Sequence, residues 1–193
     1  MARTKEFDPE KALQAALELF WERGYEATSM ADLVDRLGIA RASLYSTFGG
    51  KHELFVLALR RYIETRRPSP LEILSQPGPA LPAVRALVEF YAADSMSDPR
   101  RRGCMVVNAA AEMLPGDEEV TRILDANWTA METALASALT RARAQGELPD
   151  DRDPRALARF LLVFLQGLRL VSKGSPDHQR LRDAAAQALS VLD

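Results

Sequence analysis

The sequence predicts an all-α protein, and three observations lead to that prediction. Apolar residues recur at intervals of three and four in most segments of the chain, which is the spacing of one helical face. No segment alternates Val, Ile or Thr with polar residues, and no Asn-Gly pair marks a hairpin. Glycine and proline fall where the periodic segments end, as at Gly24, Gly38 and Pro68. We therefore expect about nine helices and no sheet.

The helices can be placed in order from these stop signals and from their capping residues. The first should bury a face that includes Leu17 and Phe20 and should stop at Gly24. Residues 68–82 contain five prolines and one glycine, so we expect a loop there and a boundary between two halves. The helices are expected at about residues 8–23, 28–37, 41–48, 51–67, 83–97, 103–114, 117–145, 154–173 and 176–192.

Residues 28–55 have the pattern of a helix-turn-helix. Ser29 can cap the first helix, with Asp32 placed to complete a capping box. Gly38 permits the left-handed backbone that ends this helix, and Ile39 fills the corner before the next one. The second helix should bury Leu44 and Phe48 and turn outward Arg41, Ala42, Ser43, Tyr45 and Ser46.

The run GIARASLYSTFGGKHELF, residues 38–55, resembles the DNA-binding signature of the TetR family of bacterial transcriptional repressors. Thr47 is a departure, because an aromatic residue or His is usual at that place. The matching positions are Thr28, Leu33, Gly38, Ile39, Leu44, Tyr45, Phe48, Lys51, Leu54 and Phe55. The resemblance implies an N-terminal three-helix DNA-binding domain, residues 1–50. It also implies a larger helical domain for effector binding and dimerisation, residues 51–193.

The polar residues of this segment are candidates for DNA contacts. Arg41 and Ser43 could reach base edges in the major groove, Arg41 through the acceptors of guanine. Lys51 opens a helix directly after Gly49 and Gly50, where a cation opposes the helix dipole and a bound phosphate would reverse that effect. Phosphate contacts are expected from Thr28, Tyr45 and Lys51, and groove contacts from Ala42 and Ser46, although capping and packing would also explain Thr28 and Tyr45.

Charge supports DNA binding only locally. The chain has a net charge of −2 at pH 7, and residues 1–67 hold 11 Lys and Arg against 10 Asp and Glu. DNA binding therefore needs a local basic face with the acidic side chains turned away. The candidates for that face are Arg3, Lys5, Arg41 and Lys51.

Cys104 follows three arginines and Gly103 and opens a predicted helix. A helix N-terminus and nearby guanidinium groups both stabilise the thiolate, which is the reactive form of cysteine. The alternative is a small buried apolar residue, which free Cys usually is. The segments RGCMVVNAAAE and GLRLVSKGS resemble the TetR subgroup that includes the N-ethylmaleimide-responsive repressor. That resemblance implies a redox or electrophile sensor in which Lys173 is the candidate to capture oxidised Cys104.

A cavity for an effector is a further possibility in the larger half. Aromatic residues and methionines with an occasional Asn or Glu are typical of a ligand pocket, but they are equally typical of an ordinary core. The TetR resemblance implies a pocket for a small-molecule inducer. Its candidate lining is Phe90, Tyr91, Met105, Asn108, Glu112, Trp128, Met131 and Phe164.

The last two predicted helices are unusually apolar for the surface of a small protein. A core within the chain is one explanation, and a two-fold interface with two helices from each subunit is the other. DNA binding favours the dimer, because two recognition helices about 34 Å apart can contact a palindrome. The resemblance implies the same homodimer. The candidate interface residues are Phe160, Phe164, Leu168, Ala185 and Leu189.

Composition argues against several other classes of protein. No run of 18 apolar residues predicts a membrane span, and the N-terminus lacks the apolar stretch of a signal peptide, so we expect a cytoplasmic protein. The single cysteine excludes an intrachain disulfide. Two histidines and one cysteine predict no metal site, and no motif predicts a cofactor or a catalytic set.

The interpretation is a dimeric regulator, and more specifically a repressor, that binds palindromic double-stranded operator DNA. A small-molecule inducer, an electrophile or an oxidant would release it by binding the released state better than the DNA-bound state. Two alternatives stay open. One is a helical thiol-dependent enzyme that acts on small electrophiles through Cys104, and the other is a helical interaction protein that does not bind DNA.

Overall fold

The computed structural model describes residues 7–174 and 177–193, and all regular structure in that part of the chain is helical. The predicted all-α class is confirmed, and nine of the described helices have eight residues or more. In chain order the helices are α1 (Pro9–Arg23), α2 (Met30–Leu37), α3 (Arg41–Phe48), α4 (Lys51–Thr65), α5 (Pro70–Leu74), α6 (Ala80–Ser97), α7 (Met105–Met113), α8 (Glu118–Ala144), α9 (Pro154–Gly174) and α10 (His178–Ser190).

The short helix α5 lies inside the segment that the sequence predicts as a loop. Ser69 and Glu72 form a capping box: the Ser69 hydroxyl accepts a hydrogen bond from the Glu72 backbone N–H at 3.2 Å, and the Glu72 carboxylate accepts one from the Ser69 N–H at 2.6 Å. α6 also begins early, at Ala80, with Pro82 in its first turn, where the missing N–H leaves no bond unmade. The loop prediction is therefore wrong for both helices.

The described residues divide into two compact units. Unit 1 comprises the described residues up to Thr65 together with Asn108–Ile123, and unit 2 comprises Arg66–Val107 and Leu124–Asp193. The division into residues 1–50 and 51–193 concerns functional domains and stays a prediction. The compact units have other boundaries, because unit 1 contains α4 and Asn108–Ile123 in addition to the N-terminal helices.

In unit 1, α1 packs against α2 and α4, and α3 packs against the same two helices. Phe20 of α1 is 1% exposed, and its ring meets the Phe55 ring of α4 edge-on at 5.1 Å between centroids. The Tyr25 ring lies 5.0 Å from the same Phe55 ring. These aromatic contacts, each worth about 0.5–1.5 kcal/mol beyond burial, hold α4 and the end of α1 together.

In unit 2, α6 packs against α5, α9 and α10, and α9 also packs against α10. Leu135 and Leu139 of α8 and Leu161 and Leu165 of α9 are fully buried in one core cluster. Because each pair is spaced by four residues, each helix presents a single apolar face to that core.

Candidate functional site

The helix-turn-helix has the local geometry that the sequence predicts. Ser29 and Asp32 form the capping box of α2, and Gly38 ends that helix in the left-handed region with φ +64°. α3 then buries Leu44 and Phe48, the two positions expected to face inward. Because these two side chains anchor α3, the opposite face of the helix is left to solvent.

That outward face carries the predicted polar residues. Arg41, Ala42, Tyr45 and Ser46 are exposed, while Ser43 is half-buried and its carbonyl accepts a hydrogen bond from the Ser46 hydroxyl at 3.1 Å. The guanidinium carbon of Arg41 lies 5.8 Å from the centre of the Tyr45 ring, and Tyr45 is 46% exposed. A guanidinium and a phenol therefore lie side by side at the surface, and these are donors that phosphate and guanine accept.

Thr28 differs from the other predicted DNA contacts in its burial. Its side chain is fully buried, and its hydroxyl donates to the Gly24 carbonyl at 2.7 Å. The residue that caps α2 is Ser29 rather than Thr28. The Thr28 hydroxyl thus closes the turn between α1 and α2, and its predicted phosphate contact, which would need that donor, stays a prediction.

Lys51 is the first residue of α4, as expected, and an aromatic ring lies next to it. Its Nζ is 4.2 Å from the centre of the Tyr25 ring. The cation–π attraction offsets the unfavourable position of a cation at a helix N-terminus. Gly50 is buried, and a Cβ there would lie 2.9 Å from Glu53 Oε2. Sequence reasoning missed Tyr25, because a contact between residues so distant along the chain has no local signal.

Glu112 fastens a distant segment to the turn between α1 and α2, within unit 1. Its Oε2 accepts hydrogen bonds from the backbone N–H groups of Tyr25 at 2.7 Å and Glu26 at 3.3 Å. Gly24, with φ +88°, leaves the space that this carboxylate occupies, since a Cβ there would lie 2.2 Å from Glu112 Oε1. The sequence predicts Gly24 only as a helix stop, and the close approach of Glu112 is a second reason for glycine.

A second contact in unit 1 joins the first turn of α4 to the start of α8. His52 Nε2 lies 2.6 Å from Asp117 Oδ2. Asp117 also caps α8, because its carboxylate accepts a hydrogen bond from the Val120 backbone N–H at 2.9 Å. The bond from Val120, with a smaller contribution from His52, holds the pKa of the Asp117 carboxyl below its usual value, although partial burial acts against this. No sequence motif indicated this pair.

In unit 2, Cys104 is buried beside a group of partly buried charged side chains. Cys104 is 3% exposed and directly precedes α7. Arg169 donates to its Sγ through Nη1 at 3.1 Å and to Asp94 Oδ2 through Nη2 at 3.3 Å. Arg66 donates to the same Asp94 oxygen. The guanidinium and the helix N-terminus favour the thiolate, whereas burial of the side chain and the nearby Asp94 carboxylate favour the thiol. Sequence reasoning missed Arg169, because its position in the sequence gives no sign of a contact with Cys104, which lies 65 residues earlier.

Lys173 lies near Cys104 through Gly103. Gly103 has φ +70°, and a Cβ there would lie 3.4 Å from Lys173 Cβ and 3.4 Å from the Arg169 carbonyl oxygen. The stem of Lys173 therefore packs against the residue before Cys104. Capture of an oxidised Cys104 by Lys173 stays a prediction, and Arg169 also contacts the sulfur, through Nη1.

The Arg169 guanidinium lies against Tyr91, which belongs to a set of side chains that we call the donor group. This group comprises Tyr91, Met131 and Gln166, which contact one another, and Trp128, three positions before Met131 on α8. The Arg169 guanidinium carbon is 4.0 Å from the centre of the Tyr91 ring. The Met131 sulfur is 4.0 Å from the Tyr91 hydroxyl and 3.9 Å from the Gln166 side-chain nitrogen. Trp128 lies one turn before Met131 on α8, and its Nε1 is buried without a hydrogen-bond partner. Burial raises the pKa of Tyr91, which Arg169 opposes only in part, so its hydroxyl is a donor at neutral pH.

The predicted effector pocket is divided by the structure. Asn108 and Glu112 belong to unit 1, where Glu112 has the structural role described above. The Phe164 ring stacks on Phe160 of α9, with 6.2 Å between centroids. Phe164 and the remaining five residues belong to unit 2, and three of these five are members of the donor group. These five are Phe90, Tyr91, Met105, Trp128 and Met131.

The predicted dimer interface is corrected at two positions. Leu168 and Ala185 are 4% and 7% exposed and belong to the core of unit 2, so they are not available to a second subunit. Leu189 packs against the same core. An apolar face of α9, exposed or half-buried, follows the helical spacing instead, and we call it the α9 stripe. It comprises Phe160, Val163, Phe164, Gly167, Leu170 and Val171.

An open groove of about 860 Å³ lies near the start of this stripe, within unit 2. It shares no residue with the predicted effector pocket. Many of its side chains are small, which lets another helix approach closely. The groove is lined by Glu132, Thr133, Ala136, Ser137, Thr140, Arg141, Arg143, Ala144, Asp153, Pro154 and Arg155.

The expectations about membrane spans and metal sites can be compared only with the described residues. Among those residues, no helix is long and apolar enough to cross a membrane, and no group of His, Cys, Asp and Glu could hold a metal ion. Arg3 and Lys5 of the predicted basic face, and Pro176 at the predicted start of the last helix, lie outside the described residues.

Comparisons with known proteins cover both halves of the chain. Residues 12–58 match the family model for bacterial regulatory proteins of the tetR family, and residues 80–189 match the tetracyclin repressor-like C-terminal domain. YezE of Bacillus subtilis (strain 168), an uncharacterized HTH-type transcriptional regulator, is 40% identical over 100% of both chains. The HTH-type transcriptional repressor ComR of Escherichia coli (strain K12) is 31% identical over 98% of this chain and 90% of its own.

Solved structures share the fold. A cysteine mutant of the TetR family transcriptional regulator CifR, in complex with 26-bp double-strand operator DNA, has a TM-score of 0.85 and 34% identity. That similarity covers 99% of this chain and 100% of the CifR chain. The reduced form of E. coli NemR has a TM-score of 0.80 over 93% of each chain, and its 23% identity makes this a likeness of fold.

Proposed function

The chain belongs to the TetR family of bacterial regulatory proteins, and on this premise we propose that it is a dimeric repressor that binds a palindromic operator through α3. The observation that carries the proposal is the exposed pair of Arg41 and Tyr45 on α3, with Lys51 at the start of α4. Such a protein works in the cytoplasm as a regulator rather than as an enzyme.

Each residue of this face has a distinct role in the proposal. Arg41 contacts a guanine edge in the major groove, while Tyr45 donates its hydroxyl to a phosphate. Lys51 and the free backbone N–H groups of the first turn of α4 converge on a second phosphate. The Tyr25 ring, 4.2 Å from the Lys51 Nζ, supports the ammonium in that position. Ala42, Ser43 and Ser46 complete the surface that faces the groove.

The dimer in this proposal is formed by α8 and α9 rather than by α9 and α10. Support comes from the α9 stripe, in which Val163 is 71% and Leu170 is 52% exposed. The groove on α8 supplies small side chains beside that stripe. An exposed apolar stripe of this kind marks a site of protein–protein contact, and packing against helices of a second subunit would bury it. A second copy of the chain covers it and provides the second recognition helix.

Release of the operator needs an effector that binds the released state better than the DNA-bound state. A coupling free energy of about 1–3 kcal/mol gives a roughly 5- to 150-fold change in operator affinity. We place the effector at the donor group of unit 2. Thiol modification of Cys104 is a second trigger, supported by the Arg169 contact at 3.1 Å. A thiol-dependent enzyme has less support, because the sequence carries no motif of a catalytic set.

The test starts from selection of duplexes from a random DNA library by the purified chain, followed by fluorescence anisotropy on the recovered sequence. We expect a palindrome, with salt-dependent affinity in the range of about 10–0.01 nM that is typical of specific binding. A scrambled duplex of equal length measures non-specific binding. Failure to enrich any palindrome would contradict the proposal.

Three variants test whether the surface formed by α3 and the start of α4 contacts the operator. Arg41→Ala should lower affinity for the palindrome by roughly 5- to 150-fold and leave the scrambled duplex unchanged, because a base contact is lost. Lys51→Ala should weaken binding to both duplexes, and the slope of log affinity against log salt concentration should fall by about one. Lys11→Ala is the matched control, since Lys11 is exposed on α1 and pairs with Asp8 at 3.8 Å. Equal affinities of Arg41→Ala and the unchanged chain would refute the assignment.

A further inference from the structure

We propose that the effector is a small organic anion, most simply a carboxylate, whose oxygens accept hydrogen bonds from Tyr91, Gln166 and Trp128 beside the Arg169 guanidinium. The inference rests on the proposed function, because it names the ligand class of the site placed in unit 2. Four observations support it: the shortage of acceptors, the convergence of three helices, the buried guanidinium and the adaptable Met131.

The donor group has too few good acceptors for its donors. The Tyr91 hydroxyl and the Gln166 amide both point at the Met131 sulfur, at 4.0 and 3.9 Å, and a thioether is a weak acceptor. The indole Nε1 of Trp128 is buried with no acceptor at all. Buried donors without a strong acceptor are uncommon in folded proteins and indicate a missing partner. A ligand with oxygen acceptors supplies that partner.

These donors come from three helices. Tyr91 lies on α6, Trp128 on α8 and Gln166 on α9. Tyr91 and Gln166 meet at Met131, which follows Trp128 by three positions on the same face of α8. A ligand bound by all three helices therefore ties them together, which is what an effector needs in order to favour one arrangement of the unit over another.

Arg169 gives the site its preference for negative charge. It follows Gln166 by three positions on α9 and is 9% exposed, and its guanidinium lies 4.0 Å from the Tyr91 ring centre. A guanidinium attracts an anion more strongly when water is excluded, and hydrogen bonds to ionised groups are the stronger ones. Asp94 offsets only one of the two positive charges, because its single carboxylate is shared by Arg66 and Arg169.

Met131 is suited to make room for the ligand. Its side chain is 5% exposed and holds the place of the acceptor between Tyr91 and Gln166. Methionine is unbranched and flexible, so its thioether can move aside at small cost. The ligand then has its carboxylate toward Arg169 and an apolar body against the surrounding core. A short-chain or aromatic carboxylic acid fits this description.

The test uses the emission of Trp128 in the full-length chain. The chain has two tryptophans, so Trp21→Phe leaves Trp128 as the only reporter. The probes are the straight-chain acids from acetate to octanoate, and benzoate, each compared with its primary amide at constant ionic strength. At least one acid should change the emission and bind about tenfold or more tightly than its amide, because the amide lacks the charge.

Single substitutions test which residues cause the preference for the acid over its amide. Arg169→Met should abolish the difference in affinity between acid and amide. Gln166→Leu should weaken binding of the acid, while thermal unfolding shows that the fold persists. Arg182→Met is the matched control, since Arg182 is an exposed arginine of α10 that donates to Gln179. If Arg169→Met fails to fold, Gln166→Leu and Tyr91→Phe carry the test instead, each with an expected loss of about fivefold or more in acid affinity.

The outcomes separate this inference from the proposed function. Equal binding of acids and amides, or no response to any acid, would overturn the anionic ligand. A preference for acid that survives in Arg169→Met would overturn the role of the guanidinium. Operator affinity is measured on the same samples. If the chain binds the operator but no acid, the repressor function stands and the anionic effector is refuted. If it binds an acid but no operator, the repressor function is refuted.

Discussion

Gly24 and Glu112 share one small volume, because a Cβ on Gly24 would lie 2.2 Å from Glu112 Oε1. The other oxygen of the same carboxylate accepts hydrogen bonds from the two backbone N–H groups that follow Gly24 in the chain. The turn that leads from α1 into the helix-turn-helix is therefore shaped around a carboxylate from a distant segment of unit 1. We expect that this turn must keep its shape for α3 to be held in one orientation.

Gly24→Ala should destabilise unit 1 by about 2 kcal/mol or more, through positive-φ strain and collision with Glu112. Gly38→Ala is the matched control, because Gly38 also has positive φ, +64°, but nothing lies within 4 Å of its Cβ position. Urea unfolding should show the larger loss for Gly24→Ala. Adding Glu112→Ala should reduce the difference between the two alanine variants. An equal loss for both variants would mean that Glu112 does not crowd position 24.

The stability of unit 1 should depend on pH through Asp117. The hydrogen bonds from Val120 and His52 lower the folded-state pKa of this carboxyl below its ordinary value of 3.8. Its stabilising effect is thus fully present above that value and is lost as pH falls through the folded-state pKa. Asp117→Asn should lower Tm at pH 7, and the difference from the unchanged chain should shrink as the pH falls below 3.8 and Asp117 becomes protonated.

The control for this pH series is Asp125→Asn, which removes one carboxylate from an exposed position on α8. It should leave Tm nearly unchanged throughout the series. A constant Tm difference for Asp117→Asn from pH 7 to pH 3 would show that ionisation of Asp117 is not what stabilises the unit.

Val163→Glu should separate the dimer. Val163 is 71% exposed in the middle of the α9 stripe, where a second subunit would bury the new charge without a partner. Analytical ultracentrifugation should show monomers, and operator affinity should fall by at least about 100-fold, because a single recognition helix remains. Leu71→Glu is the control, since Leu71 is 64% exposed but lies on α5. A Val163→Glu dimer, or a Leu71→Glu monomer, would place the interface elsewhere.

N-ethylmaleimide should react at Cys104 and release the operator. The chain has one cysteine, so the mass of the intact protein assigns any adduct. Arg169→Met should slow the reaction at pH 7, because it removes the guanidinium that favours the thiolate. Cys104→Ser should bind the operator normally and ignore the reagent. Release of the operator in Cys104→Ser would mean that the reagent acts on another group.

The sequence by itself determined what depends on neighbours along the chain. Helix limits follow from caps and stops such as Ser29 and Gly38, and the exposed face of α3 follows from the spacing of Leu44 and Phe48. These features are encoded within one or two helical turns, so periodicity and capping chemistry are sufficient to predict them. The family signature is a pattern of the same local kind.

Only the tertiary structure decided which helix faces meet. Periodicity indicates that Leu168 and Ala185 are buried but not whether the chain's own core or a second subunit buries them. In the same way, nothing in the sequence of α9 shows that Arg169 contacts Cys104, and no motif joins Glu112 to Gly24. These contacts link residues far apart in the chain through the packing of several helices. They are the result of the whole core reaching one close-packed arrangement, which no single segment specifies.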